Sequence, residues 1–75
     1  MNWNDCFWLL QGEPAAQAAL LSLAWNEAAQ SGNAALLSNL HCNMLNPNGV
    51  CMVLDAAGVP VPPESLPLLP KSLRA

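Results

Sequence analysis

The sequence predicts a mainly α-helical protein, with a short N-terminal helix followed by a helical hairpin. Strong helix formers dominate residues 14–31, and no β-branched residue interrupts them. Apolar residues in that stretch recur three and four positions apart, as at Leu21 and Trp25, which gathers them on one helix face. Gly12 and Pro14 stand where one helix usually stops and the next begins.

The first helix is predicted over residues 5–11. Asn4 has a suitable N-cap side chain, and Asp5 favours the positive end of the helix dipole. Trp3 and Trp8 have the spacing of a hydrophobic staple, in which the residue before the cap packs on the fourth helical residue.

The second and third helices are predicted to form an αα-hairpin. The second helix runs from Pro14 to about Ser31, Gly32 stops it, and Asn33 caps the third helix at once. Pro47 is expected to end the third helix, because proline disfavours helical conformation in the residue before it. Four residues supply the apolar face of that helix: Leu36, Leu37, Leu40 and Met44.

After a predicted turn at residues 46–49, the sequence favours β-structure. The β-branched content of residues 50–54, VCMVL, predicts a short strand, and residues 59–61, VPV, predict a return strand after a turn at 55–58. Pro60 restricts the return strand to a sheet edge. We therefore expect a small β-hairpin or extended segment that packs on the helices or pairs with its copy in a second subunit.

The C-terminal residues 62–75 are rich in proline and are predicted to form an arm. Leu66, Leu68 and Leu69 favour an arm that packs on a surface, although the prolines also suit an extended recognition segment. The predicted organisation is one small helical domain over residues 1–61, followed by the arm.

The composition favours association with another protein chain. A chain of 75 residues buries only about 60% of the surface that its unfolded form exposes. Hydrophobic residues make up 53% of the sequence and charged residues 9%, whereas charged residues usually make up about 25%. Apolar side chains must therefore meet water or be covered by a second chain, so we expect a homo-oligomer.

The charge distribution argues against binding to nucleic acid. The net charge is −3, and the two cations, Lys71 and Arg74, both lie near the C-terminus. Proteins that bind DNA or RNA draw much of their affinity from cations that neutralise phosphates. A helix-turn-helix regulator is nevertheless kept as an alternative, since the hairpin has that outline and Asn39 and Asn43 could contact bases.

The sequence predicts a cytoplasmic protein without a membrane partner. No apolar run approaches the roughly 18 residues that a membrane helix needs. Residues 1–10 lack the basic leader and the cleavage site of a signal peptide. In the cytoplasm the cysteines are expected to be reduced thiols.

One group of side chains could carry chemistry. Cys6, His41, Cys42 and Cys51 match tetrahedral zinc in number, but they form no Cys-x-x-Cys pair. Adjacent helical residues such as His41 and Cys42 also point about 100° apart. Buried apolar cysteines are the simpler interpretation, and a metal or thiol site is kept as an alternative. We expect neither catalysis nor a cofactor, because no group to orient the histidine and no phosphate-binding loop is evident.

The aromatic residues are the most distinctive candidates for binding. The chain has three tryptophans, one phenylalanine and no tyrosine. Tryptophan is common both in small cores and in the hot spots of interfaces. We therefore predict a small acidic interaction protein, a homodimeric inhibitor or adaptor of a cellular or viral pathway that binds another protein. Five residues are predicted to form its partner surface: Trp3, Trp8, Leu20, Leu23 and Trp25.

Overall fold

All regular structure in the described chain is helical. The computed structural model describes residues 2–69, and over that range it contains no strand, which confirms the prediction of a mainly α protein. The elements are α1 (Trp3–Leu9), α2 (Pro14–Ser31), α3 (Ala34–Cys42), α4 (Pro47–Ala56) and a 3₁₀ helix (Pro63–Leu68). Within the same residues, none of the helices combines the length and the apolarity that crossing a bilayer requires.

The hairpin of α2 and α3 forms where the sequence predicts it. Pro14 occupies the first turn of α2, where its missing N–H costs no intrahelical hydrogen bond. Gly32 ends α2 with φ 68°, a left-handed conformation that lacks a steric penalty only in glycine. The side-chain oxygen of Asn33 then accepts a hydrogen bond from the N–H of Leu36 and caps α3.

The first helix begins earlier than predicted. Asn2, and not Asn4, is its N-cap, because Asn2 Oδ1 accepts a hydrogen bond from the N–H of Asp5 at 2.8 Å. The predicted staple between Trp3 and Trp8 is also wrong. Trp3 is the first residue of the helix and lies in the core, whereas Trp8 is half exposed. By residue type, either asparagine could be the N-cap of the helix, so the burial of Trp3 decides which of them is.

The predicted strand at residues 50–54 is wrong, because these residues belong to α4. The predicted turn at residues 46–49 is the N-cap and first turn of this helix, and Pro47 is its first residue. The third helix ends before that proline, at Cys42. Three residues of α4 share one face and are buried: Val50, Cys51 and Leu54. Their burial outweighs the weak preference of valine for strands.

The predicted return strand and separate proline-rich arm are not supported. Residues 59–62 have no regular structure and pair with no strand in the described chain. The 3₁₀ helix that follows packs against α2, and Leu69 belongs to the core. Residues 70–75 of the predicted arm lie outside the described residues.

Hydrogen bonds fasten the start of α1 to the end of α4. The Asp55 carboxylate accepts from the N–H of Trp3 at 2.8 Å and from the N–H of Asn4 at 3.0 Å. These are two of the N–H groups that a helix start leaves without an intrahelical partner. The indole Nε1 of Trp3 also donates to the carbonyl oxygen of Val59 at 2.9 Å.

The helices α1 and α4 run antiparallel. The start of α1 meets Asp55 near the end of α4, as the hydrogen bonds show. One turn further along α1, Cys6 is buried in the same core as Cys51, which lies one turn back along α4. The end of α1 therefore points toward the start of α4.

Candidate interaction surface

Five large apolar side chains on α1, the α3–α4 connection and α4 are exposed. α1 contributes two of them from its last turn, the α3–α4 connection contributes two, and α4 contributes one. We call these five exposed residues the apolar end: Trp8, Leu9, Met44, Leu45 and Met52.

The exposure of the apolar end is large. Leu45 exposes 94% of its surface, Met44 60%, Met52 55% and Trp8 49%. Scattered apolar residues are ordinary on a protein surface, but a group of them in one region marks an interaction site. Methionine adapts to irregular partners and tryptophan is enriched in binding hot spots, so the residue types also suit this role.

The local sequence explains why the connection and α4 expose these residues. Since α3 ends at Cys42, Met44 and Leu45 fall in the turn between two helices and are exposed. Met52 follows the buried Cys51, and adjacent helical residues point about 100° apart. The Met52 sulfur accepts a hydrogen bond from Asn48 Nδ2 at 3.6 Å, on the outer side of the helix.

Two contacts involve the last turn of α1, where Trp8 lies. Its ring meets that of Phe7 edge to face, with 5.7 Å between the ring centroids. Gln17 Nε2, from α2, donates to the carbonyl oxygen of Phe7 at 3.1 Å. This bond ties the last turn of α1, which carries Trp8, to α2.

The ionic groups nearest to Trp8 and Leu9 in the sequence are carboxylates. Asp5 lies one turn before them on the same helix, and Glu13 follows the helix; both are exposed. Residues 2–69 contain no lysine or arginine. The exposed side of α1 is therefore both apolar and acidic.

The predicted partner surface is divided between the core and the exterior. Trp3 and Leu20 are completely buried, so packing within the chain occupies them. Leu23 and Trp25 are half-buried on α2 and pack against the core. Of the five predicted residues, Trp8 alone belongs to the apolar end.

Four residues of the apolar end were missed by the sequence analysis. Met44 was assigned to the apolar face of α3, and Met52 to a strand. Leu9 was placed inside the first helix with no role. Leu45 was the easiest of these residues to predict as exposed. It lies between Asn43 and Asn46, just before Pro47, in a sequence typical of a loop.

The residues considered for a metal or thiol site are not brought together. Cys6 and Cys51 are buried, whereas Cys42 is exposed at the end of α3. The His41 ring packs on Trp25, with 5.2 Å between the ring centroids. Among residues 2–69, no three His, Cys, Asp or Glu side chains gather as metal ligands would.

Burial controls the chemistry of the two core thiols. It raises the pKa of Cys51 to about 12, and the negative charge of Asp55 adds to the rise. Burial also raises the pKa of Cys6. The thiolate is the reactive form of cysteine, so both side chains are inert at neutral pH.

The buried Cys51 thiol makes the fold sensitive to high pH. The folded chain holds this proton up to a pKa of about 12, against an ordinary value of 9.0, so its contribution to stability is complete below about pH 9. It is lost as the pH rises from 9 toward 12, by about 1.4 kcal/mol per pH unit. Urea unfolding from about pH 8 to pH 11 should show this loss, and Cys51→Ala should make it shallower. Equal losses in the two proteins would contradict this prediction.

Comparison with known proteins gives no relative for this chain: no protein-family model matches it, and no curated protein or solved structure matches it either. The functional proposal therefore depends on the geometry of the apolar end.

Proposed function

We propose that this chain is a non-enzymatic interaction module that self-associates and binds another protein through its apolar end. The exposure of five large apolar side chains carries this proposal. The core already contains Trp3, Leu20 and Leu54, fully buried without help from these residues. An inhibitor or adaptor is the kind of protein that acts by such binding alone.

The energetics of burial support this proposal. Complete burial of one leucine or methionine side chain contributes about 1.5–3 kcal/mol. Leu45, Met44 and Met52 each expose more than half of their surface, so most of that contribution is still available. Association costs at least about 4 kcal/mol in lost freedom of motion. Several side chains must be covered together, and the apolar end supplies them.

We propose a homodimer, joined through the apolar ends of its two copies, as the form of the free protein in the cytoplasm. The three cysteines are free thiols in the fold, which suits a reducing compartment. A dimer would also cover apolar surface that a small domain otherwise leaves in contact with water.

Sedimentation velocity over a concentration series tests the proposal. We expect the wild-type chain to pass from monomer to dimer, and Leu45→Glu to stay monomeric, because its carboxylates would be buried in the interface. Leu66→Glu is the matched control, since Leu66 is exposed on the 3₁₀ helix and not at the apolar end. This control should associate like the wild type.

Two results would refute self-association through the apolar end. One is a wild-type chain that stays monomeric over the whole series. The other is a pair of glutamate variants that dimerise equally well.

A further inference from the structure

We infer that Asn48 is a site of spontaneous deamidation, in which its side-chain amide reacts with the backbone nitrogen of Gly49 and is converted into an acid. This inference goes beyond the proposed function and does not depend on it, because its readout is a change in the mass and charge of the chain. It follows from the sequence of the two residues, from the position of Gly49 in α4 and from the hydrogen bonds of Asn48.

Asn48 and Gly49 are the one place in the sequence where glycine follows asparagine. Deamidation begins when the backbone nitrogen of the following residue reaches the side-chain carbonyl carbon of the asparagine. A side chain on that following residue hinders the approach and restricts the backbone, whereas glycine does neither. Asn46, in contrast, precedes Pro47, whose nitrogen has no proton to give up.

The first turn of α4 leaves the attacking nitrogen without an intrahelical bond. Gly49 is the third residue of this helix, and the N–H groups of the first turn have no acceptor within their own helix. The side chain of the N-cap, Asn46, supplies no hydrogen bond either. The ladder begins one residue later, where the N–H of Val50 donates to the carbonyl oxygen of Asn46 at 3.1 Å. Because helix ends fray, the backbone at Gly49 can turn toward Asn48 while the rest of α4 stays folded.

The side-chain amide of Asn48 is held only by a weak contact. Its Oδ1 has no hydrogen-bond partner among residues 2–69. Its Nδ2 donates to the Met52 sulfur at 3.6 Å, and a thioether is a weak acceptor. Asn33 provides the contrast, since its Oδ1 accepts from the N–H of Leu36 at 3.1 Å and alanine follows it in the sequence. Asn48 is therefore the asparagine whose side chain is free to react.

The reaction requires water and no other reagent. The Gly49 nitrogen forms a bond to Cγ of Asn48 and gives up its proton, the Cγ–Nδ2 bond breaks, and ammonia leaves. Water then opens the cyclic imide at one of its two carbonyl carbons. Opening at Cγ gives aspartate, and opening at the backbone carbonyl carbon gives isoaspartate. Either product adds one negative charge to the chain and removes the hydrogen bond from Asn48 Nδ2 to the Met52 sulfur.

Anion-exchange chromatography and peptide mapping by mass spectrometry test the inference. The folded full-length chain is incubated for several days in mildly alkaline buffer, because ring closure requires the Gly49 nitrogen to lose its proton. We expect a more acidic form to accumulate, with the change from amide to acid at Asn48 at least about tenfold faster than at Asn33. Isoaspartate should be among the products, because direct hydrolysis of the side chain gives aspartate alone.

Three variants test the assignment to Asn48. Asn48→Gln should prevent the acidic form from appearing over the same period, because its longer side chain would have to close a larger ring. Gly49→Ala should slow the reaction; its added methyl group would lie 2.7 Å from Asn43 Oδ1, so circular dichroism must confirm its fold. Asn39→Gln is the matched control, since Asn39 is an exposed asparagine on α3, and it should react like the wild type.

Four results would overturn the inference: a wild-type chain that forms no acidic product, earlier modification of another asparagine, a product without isoaspartate, or equal rates in the wild type and Asn48→Gln. If Gly49→Ala does not fold, Asn48→Gln decides the outcome alone.

Discussion

Replacing Trp3 with alanine is expected to lower the free energy of unfolding by about 3–5 kcal/mol. Trp3 is completely buried at the contact of α1 with α4. The substitution would leave a cavity and would deprive the Val59 carbonyl of its hydrogen bond from the indole. A domain of 75 residues has a total stability of about 4–11 kcal/mol, so much of the variant would be unfolded.

Urea unfolding followed by circular dichroism measures this effect, and Trp8→Ala is its matched control. Trp8 lies on the same helix but is half exposed, so its loss should cost less than about 1.5 kcal/mol. Equal losses in the two variants would show that Trp3 does not hold α1 on α4.

Replacing Asp55 with alanine should lower the free energy of unfolding by about 3 kcal/mol, because hydrogen bonds to a charged group contribute about 1.5–3 kcal/mol each. The carboxylate is half-buried and accepts from the N–H groups of Trp3 and Asn4. Its loss would leave two N–H groups at the start of α1 without an acceptor. Asp55→Asn keeps one acceptor oxygen and should fall between the alanine variant and the wild type.

The control for this prediction is Asp5→Asn, in the first turn of the same helix. Asp5 is exposed and is linked to the helix start mainly through the dipole, so its neutralisation should cost about 0.3–1 kcal/mol. The same urea experiment compares the variants. An Asp55→Ala variant as stable as Asp5→Asn would contradict the proposed fastening of α1.

The parts of the fold that were predicted correctly depend on short-range signals. Pro14, Gly32 and Asn33 act within one helical turn of their own positions, so their effect is visible in the sequence. The helix-forming residues between Pro14 and Gly32 support the same assignment. This is why the bounds of α2 and the cap of α3 were found.

The wrong assignments depend on contacts between distant residues. Asp55 accepts a hydrogen bond from the start of a helix that lies 52 residues away, and burial of Trp3 at this contact decides between Asn2 and Asn4 as the local cap. Residues 50–54 favour a strand by composition but bury one helical face against the rest of the domain. Tertiary packing overrides a weak local preference in such cases.

The sequence predicted that apolar surface would stay exposed, but it did not predict which residues would form that surface. The low charge and high apolar content indicate that apolar surface stays uncovered. They do not distinguish Trp3 from Trp8, because both lie on one short helix and only its contact with α4 decides which is buried. The exposure of Met44 depends on the end of α3 at Cys42, which the apolar pattern of the sequence does not indicate.

The central claim is that the apolar end is the surface through which this chain binds. Methyl NMR on protein labelled at the methionine methyl groups tests it most directly, with a soluble paramagnetic agent present across the same concentration series. We expect the agent to relax the Met44 and Met52 signals strongly in dilute protein, and much less once the chain associates. If both signals stay equally relaxed while association proceeds, the contact lies elsewhere and the claim is wrong.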